Sequence, residues 1–490
     1  MRLVLTALAL VPLVGVVISA FAKPVWAQWS TVAVSVITFA LAITLVSPAG
    51  RAPVHTGILR ADALSMVFVL ATAFLYLVTS VYCIGYFKPE QDLAHFPRYA
   101  RLFFIGFNLF AWSMLCAPLM DGMALLWVAI EVTTIVSALL VAIEDTDGAT
   151  EAAWKYVLLA STGLGIALLA TVFLYYAGAS ILGNSYDLAF DPLLQHAATL
   201  PATPVRLAFV LAVLGYGTKV GLVPVHTWLP DAHAEAPTPV SALLSGSLLA
   251  VSFYAILRFY QVAVGTLGNH FPQTILVIFG VASILLASLY LLEQRDLKRL
   301  LAYSSVEHMG ILAIGVSFGA PVAAAGVLLH VLAHAAAKGG AFMGAGIFVR
   351  AYRTKNLAKI RDGLRVLPWS APLFLLLILG LSGFPPSGIF RSEFQIIAGG
   401  LDSGGNWASA VLVALVTMAF VGLAISTTRI VCAPPPSSSK HQPRSAEPST
   451  LMTAAMIGCL AGLLLLGIHP PGALAQLITT AAQQMTGGLT

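Results

Sequence analysis

Charged residues are scarce in this chain. Only 9% of its 490 residues are Asp, Glu, Lys or Arg, whereas soluble domains carry about 25%. This composition excludes a soluble globular fold. The net charge of +5 comes from basic residues in short connectors between apolar segments, which is the pattern of a membrane protein. The basic balance therefore does not indicate nucleic-acid binding.

Cysteines are also few, and none of the four belongs to a C-x-x-C pair. The sequence therefore offers no framework for an iron–sulfur cluster or a cysteine-bound zinc. It contains no phosphate-binding G-x-x-x-x-G-K-[ST] loop and no G-x-G-x-x-G after a strand. We expect no cofactor and no metal, so the energy for any transport must come from an ion gradient or a partner protein.

Apolar runs fill the chain, which is 59% hydrophobic. A run of about 20 apolar residues crosses the hydrocarbon core as a helix, and about fourteen such runs are present. They begin near Leu3, Gln28, Ala61, Leu102, Gly122, Trp154, Arg206, Pro239, Phe271, Leu300, Val322, Pro368, Trp407 and Leu451. The first has features of a signal peptide, but we interpret it as a transmembrane helix. The sequence thus predicts an all-α integral membrane protein.

The basic residues predict an orientation for this topology. Seventeen of the 25 Lys and Arg residues lie in connectors that follow odd-numbered spans. Because basic connectors stay in the cytoplasm, we expect both termini on the non-cytoplasmic side of the cell (inner) membrane. Residues 433–449 contain P-P-P-S-S-S-K and are expected to form a flexible cytoplasmic linker.

Two predicted spans are interrupted by proline and glycine. The seventh reads L-G-Y-G-T-K-V-G-L-V-P-V-H-T-W-L-P, and the twelfth reads L-S-G-F-P-P-S-G-I-F. A break at membrane depth is tolerated only inside protein or beside water. Two broken spans five apart indicate inverted repeats around a transport path, and ordinary proline kinks are the alternative. The predicted divisions are N-terminal helices 1–3 (residues 1–101), a first repeat of helices 4–8 (102–262), a second repeat of helices 9–13 (263–432), the linker (433–449), and helix 14 with the C-terminal tail (450–490).

Ionisable residues inside apolar spans are functional candidates by default, because placing them there is costly. Glu131 lies in the middle of the fifth span, and Lys219 lies in the broken seventh. A Lys paired with a Glu can change from charged to neutral when the pair is pulled apart, which is an elementary step of a proton pump. A purely structural buried pair is the alternative.

His330, His334 and Lys338 follow one another at intervals of four residues and share one helical face. Histidine titrates near neutral pH, so this face is a candidate proton relay. The H-x-x-x-H spacing is also compatible with zinc. No third ligand is evident nearby and the glutamate of H-E-x-x-H is absent, which favours the relay.

Five further positions carry weaker predictions. Glu393 follows the second break and is expected to end a relay or to face water at its exit. Glu307 and His308 are adjacent in the tenth span, so they point to different faces. His226 and Asp231 fall between the seventh and eighth spans at an exposed mouth, where they either guide protons or belong to a solvated connector.

The stretch G-T-K-V-G-L-V-P-V-H-T-W-L-P-D-A-H-A-E-A-P-T-P-V-S resembles the signature of antiporter-like proton-conducting membrane subunits. Such subunits occur in respiratory complex I, in membrane-bound hydrogenases and in multi-subunit sodium/proton antiporters. A-Y-S-S-V-E-H-M-G and the H-x-x-x-H-x-x-x-K run match as well, and the sequence looks most like the hydrogenase-4 F-type subunit. The resemblance covers the third to the thirteenth span. It implies fourteen helices with two inverted five-helix repeats, in which helices 7 and 12 are broken.

The resemblance also assigns residues. The glutamate of the family's fifth helix falls on Glu131, and the lysine of the broken seventh falls on Lys219. The lysine of the eleventh helix corresponds to Lys338, and the acidic residue after the second break corresponds to Glu393.

One departure concerns the eighth span, where many relatives carry a lysine or histidine that links the two halves. The matching positions here are Ser245 and Ala250, neither of which titrates. A continuous pathway would then require water or the His330/His334 pair as a bridge.

These observations predict a proton-translocating subunit of a multi-subunit, redox-driven complex. Its partners would be other membrane and peripheral subunits, with the redox reaction located in them, so whether this chain counts as part of an oxidoreductase is left open. A sodium/proton antiporter subunit is one alternative. A membrane scaffold that docks a hydrogenase or an inorganic-carbon uptake protein is another.

Overall fold

Helices dominate the computed structural model, which describes residues 1–88, 96–183, 185–434, 447 and 449–487. Within these ranges the only sheet is a hairpin of β1 (Val54–Thr56) and β2 (Leu59–Ala61). The all-α prediction is confirmed. Most of the predicted linker 433–449 lies outside the described residues.

The helices lie between short connectors. In chain order they are α1 (Arg2–Phe21), α2 (Pro24–Ala49), α3 (Ala63–Phe87), α4 (Phe96–Cys116), α5 (Met123–Val141), α6 (Asp147–Leu182), α7 (Phe190–Gln195), α8 (Ala202–Val220), α9 (Trp228–Glu235), α10 (Thr238–Leu243), α11 (Leu249–Leu267), α12 (His270–Glu293), α13 (Leu297–Ser317), α14 (Pro321–Tyr352), α15 (Gly363–Val366), α16 (Ser370–Leu381), α17 (Gly388–Asp402), α18 (Asn406–Cys432), α19 (Thr450–Ile468) and α20 (Gly472–Met485).

Twelve helices in the described part of the chain are long and apolar enough to cross a membrane. One of them, Thr238–Leu267, joins α10 to α11 through a π-helical turn. The predicted seventh and twelfth spans correspond to the interrupted segments α8–α9 and α16–α17. The chain is therefore a multi-pass membrane protein, and the total of fourteen spans and the division into repeats stay predictions.

Both interruptions fall where the prolines predict them. Helix α8 ends at Val220 and is followed by Gly221 in the left-handed region, at φ +84°. In the second break Gly383 has φ +75°. Side chains satisfy backbone groups freed by the first break: the Trp228 indole donates to the Thr218 carbonyl at 2.7 Å. Such satisfaction is what allows a broken helix to lie at membrane depth.

A buried ion cluster fixes the start of α3. Asp62 caps this helix by accepting the Ser65 backbone N–H at 2.8 Å. Its two carboxylate oxygens lie 2.7 and 2.6 Å from one guanidinium nitrogen of Arg258, and it also accepts a hydrogen bond from Arg60. Burial alone would raise the pKa of Asp62, but the guanidinium groups of Arg258 and Arg60 hold this pKa well below its usual range. The cluster joins β2, α3 and α11.

We expect Asp62→Asn to destabilise the protein by about 3–5 kcal/mol, because it leaves Arg258 buried without its counter-charge. The folded pKa of Asp62 is depressed, so its stabilisation is complete above the unfolded pKa of about 4 and is lost as the pH falls below that value. Thermal unfolding in detergent between about pH 3 and pH 7 checks both effects. Asp402→Asn, at an exposed position, is the control. Wild-type stability in Asp62→Asn would refute the structural role of the cluster.

Candidate functional site

Lys219 lies in the last turn of α8 and is completely buried. Its Nζ donates to the Tyr156 hydroxyl at 2.9 Å and to Thr134 Oγ1 at 2.5 Å. The Ser137 hydroxyl, 2.8 Å from that of Tyr156, donates to the Thr133 carbonyl, so it accepts from Tyr156. The lysine is thus surrounded by neutral hydroxyl groups that are themselves hydrogen-bonded.

Glycines allow α6 to approach α8 closely enough for this contact. A Cβ atom on Gly215 would lie 2.5 Å from the Ala167 backbone nitrogen, and one on Gly163 would lie 2.5 Å from the Thr218 side chain. At these distances a residue with a Cβ atom would clash with the neighbouring helix, so only glycine fits at either position. The small residues therefore set the distance between the helices that carry Tyr156 and Lys219.

Glu131 is held away from Lys219. Its Oε1 accepts a hydrogen bond from Ser161 at 3.1 Å, while Oε2 is buried without a hydrogen-bond partner. Among the described residues, no ion pair within 4.0 Å joins Glu131 to Lys219. The structure places the two predicted partners near the same hydroxyl group, Thr134, but it does not bring them into direct contact.

Lys338 on α14 is completely buried as well. Its Nζ donates to the Leu301 carbonyl at 2.8 Å and to the Ser304 hydroxyl, both on α13. Glu307, three residues after Ser304, is 3% exposed and has an unpartnered Oε2. In both halves, then, a buried lysine binds a hydroxyl group that lies three residues from a glutamate.

A chain of hydrogen bonds runs through two histidines. The Ser392 hydroxyl donates to the Ile389 carbonyl at 2.7 Å, so it accepts from His330 Nδ1 at 2.9 Å. This assigns the proton of neutral His330 to Nδ1, and Nε2 then accepts from His308 Nδ1 at 2.9 Å. His308 Nε2 is buried and has no hydrogen-bond partner in the described part of the chain, so it can accept a proton.

Two further predicted residues adjoin this chain. One side-chain ligand atom each from Glu393, His308 and His330 lies within 4.8 Å of the others. Glu393 also lines a cavity of 330 Å³ beside the second break. The His334 ring centroid lies 5.0 Å from that of His308, and within the described ranges neither nitrogen of His334 has a hydrogen-bond partner. Lys338, the third residue of the predicted His330–His334–Lys338 face, forms its hydrogen bonds elsewhere, with α13.

The eighth span contains hydroxyl groups where relatives are expected to carry a base. Ser245 lies in the π-helical turn between α10 and α11, and its Oγ is 2.8 Å from Ser305 Oγ. Ser247 in the same turn lies 2.6 Å from the Thr72 hydroxyl. Such turns occur often at functional sites. A search of the sequence for titratable groups misses these contacts.

The expectation of an exposed mouth between the seventh and eighth spans is wrong for His226, which is only 6% exposed. The chain after it forms the helix α9, in which His233 is completely buried. Asp231 does lie near the surface, where it pairs with Lys155 at 3.3 Å and Arg299 at 2.7 Å. These exposed pairs contribute little to stability.

His233 lies between the two halves of the site. The Trp228 ring is 4.4 Å from that of Tyr156, which binds Lys219, and 6.2 Å from the His233 ring. On its other side, His233 is 5.6 Å from Phe342, one turn after Lys338 on α14. Neither nitrogen of His233 has a side-chain hydrogen-bond partner among the described residues. The sequence contained this histidine, but its burial depends on the inward path of α9.

Residues 121–420 match the family described as "NADH:quinone oxidoreductase/Mrp antiporter, TM". The chain is 36% identical over 364 residues to a "Hydrogenase-4 component F homolog" of Methylacidiphilum infernorum, covering 73% of this chain and 75% of that protein. It is 30% identical over 387 residues to "NADH-quinone oxidoreductase subunit N" of Desulforudis audaxviator, covering 78% and 74%. A chain of the Mrp complex from Dietzia shares the fold, with a TM-score of 0.85 at 20% identity and coverage of 100% and 98%. The match extends over more than half of the sequence, and the chain belongs to the NADH:quinone oxidoreductase/Mrp antiporter transmembrane family.

Proposed function

We propose that this chain translocates protons as one subunit of a redox-driven membrane complex. The observation that carries the proposal is the pair of buried lysines, Lys219 and Lys338, whose hydrogen bonds go only to neutral groups within the described chain. A purely structural lysine at this depth would be expected to bind a carboxylate directly, since an unpaired buried charge is costly. A buried lysine that binds only neutral groups suits a site that takes up and releases protons.

In the first half, Glu131 would control the charge of Lys219. A carboxylate that approaches a buried lysine stabilises its charged form, and one that withdraws favours release of the proton. The hydrogen bond from Ser161 holds Glu131 in the withdrawn position. Exchange of this bond for a contact with Lys219 would complete one loading step.

In the second half, the histidine chain would carry the proton onward from Lys338. A proton accepted at His308 Nε2 allows His308 to pass its Nδ1 proton to His330 Nε2, because these two atoms already share a hydrogen bond of 2.9 Å. Glu393 lies within 4.8 Å of both rings and opens to a cavity, so it is the proposed final acceptor. The glutamate of α13, Glu307, would take for Lys338 the part that Glu131 takes for Lys219.

The two halves would be connected at His233 and not at the eighth span itself. His233 lies between the rings of Trp228 and Phe342. Water bound beside its ring would connect it to both lysines. The Ser245–Ser305 hydrogen bond, next to Ser304, offers a second connection on the Lys338 side.

Proposed partners are other membrane and peripheral subunits, which would hold the redox centres. The matched proteins include a chain of the Mrp complex and chains of respiratory complex I from Thermus thermophilus, which are assemblies of several subunits. We place the protein in the cell (inner) membrane with both termini on the non-cytoplasmic side. A sodium/proton antiporter subunit is the second candidate, because the family description includes antiporters.

Proton uptake into vesicles that contain the purified complex tests the proposal, with a pH-sensitive dye inside and the redox reaction started from outside. We expect acidification that needs no sodium gradient. Flux that depends on an opposed sodium gradient would favour antiport instead. A complex that turns over without moving protons would contradict both and indicate a scaffold.

A further inference from the structure

The end of the histidine chain contains more buried polar atoms than its hydrogen bonds use. His308 Nε2, both nitrogens of His334 and Glu307 Oε2 have no partner among the described residues. Each buried polar atom without a partner costs free energy, so an exception needs a reason. Three of these atoms belong to His308 and His334, whose ring centroids lie 5.0 Å apart, and they indicate that another species binds beside these rings.

The geometry fits a metal ion. His308, His330 and Glu393 each offer one ligand atom, and these atoms lie within 4.8 Å of one another. Zinc–nitrogen and zinc–oxygen bonds of about 2.0–2.2 Å in a tetrahedron place neighbouring ligand atoms about 3.4 Å apart. The two ring nitrogens, now 2.9 Å apart, would separate by a few tenths of an ångström, and the carboxylate would move inward.

We propose that His308, His330 and Glu393 form a binding site for Zn²⁺, and that the bound ion reversibly blocks the proton relay. Two neutral imidazoles and a carboxylate are ligands that zinc accepts readily. His334 lies beside this group but is not a member of it, so a water molecule is the expected fourth ligand. The block rests on the proposed function, whereas the binding of zinc does not.

Ser392 supports this ligand set. It accepts the Nδ1 proton of His330, which fixes the ring and leaves the lone pair of Nε2 free for the metal. The ion would take the place of the Nδ1 proton that His308 now donates to His330, and that proton would move to Nε2, so that His308 stays neutral. Any proton on Glu393 would be released. The cavity at Glu393, which Ser382 and Thr417 also line, is the proposed entry path.

Equilibrium binding of Zn²⁺ to the full-length chain in lipid nanodiscs tests the site. We expect one zinc ion per chain, and binding should be lost in His308→Gln and in Glu393→Gln. Ser392→Ala, which removes only the support of His330, should weaken binding about 10–100-fold. His196→Gln, at an exposed position, should bind as the wild type does. Visible spectra with Co²⁺ in place of zinc would show the tetrahedral site in the wild type and in His196→Gln, but not in His308→Gln or Glu393→Gln.

A second measurement tests the block. Zinc added to vesicles with the intact complex should stop proton uptake by the wild type, and removal of the zinc with a chelator should restore it. Equal zinc binding by the wild type, His308→Gln and Glu393→Gln would overturn the site. Zinc that binds there without slowing proton uptake would overturn the block. Because binding is measured without turnover, a wild-type complex that moves no protons would refute the proposed function separately.

Discussion

Lys219→Ala is expected to abolish proton transport and to leave the complex assembled. The lysine is the only group within hydrogen-bonding distance of both Tyr156 and Thr134 in the described chain that can carry a proton as a charge. A positioned acid–base group commonly accelerates proton transfer about 100-fold or more, so we expect at least this loss of flux. Dye acidification in vesicles measures transport, and co-purification of the other subunits measures assembly.

Two variants make this result interpretable. Lys23→Ala removes an exposed lysine and should transport at the wild-type rate. Tyr156→Phe keeps Lys219 but removes one of its two hydrogen-bond acceptors, so its flux should fall by less than that of Lys219→Ala. Wild-type flux from Lys219→Ala would rule out a central role for this lysine.

Much of the fold could be predicted because lipid imposes simple rules on sequence. Long apolar runs had to be helices, and prolines at 224 and 385–386 predicted breaks that the structure places after Val220 and Leu381. The same rules marked Glu131, Lys219 and Lys338, since an ionisable residue inside an apolar span is conspicuous.

The contacts of those residues could not be predicted. Lys219 was expected to bind Glu131, but the close approach of α6 and α8 presents hydroxyl groups instead. Threonine, serine and tyrosine are common in transmembrane helices, so nothing in the sequence distinguishes Thr134 or Tyr156 from similar residues. Which hydroxyl group faces a lysine depends on helix packing.

The histidine chain shows a similar limit. Its members come from α13, α14 and α17, and 62 residues separate His330 from Ser392. Spacing along one helix suggested that His330 and His334 could act as a pair, and it gave no third metal ligand. The third ligand comes from another helix, and tertiary structure alone brings it there.

The link between the two halves also depends on tertiary structure that the sequence does not reveal. Neither Ser245 nor Ala250 is titratable, so the sequence predicts that a connection between the halves requires water or the His330/His334 pair. The inward fold of α9 buries His233 beside Trp228 and Phe342, which places a base between the lysines without using the eighth span. A different element can therefore supply the function that relatives are expected to place there.

His233→Phe should lower proton flux about 100-fold, as expected when a positioned proton-transfer group is removed. Phenylalanine retains a ring of similar size against Trp228 and Phe342, so the packing of α9 should persist. Vesicle acidification measures the flux, and His196→Phe at an exposed position provides the matched control.

Measuring zinc binding distinguishes the loss of the connection between the two halves from damage to the fold. Because His233 is not a member of the His308–His330–Glu393 group, His233→Phe should bind zinc as the wild type does even when its flux is lost. Normal flux in His233→Phe would mean that protons cross between the halves by another route. The Ser245–Ser305 hydrogen bond would then be the next connection to remove, because Ser305 donates to the Leu301 carbonyl that also accepts from Lys338.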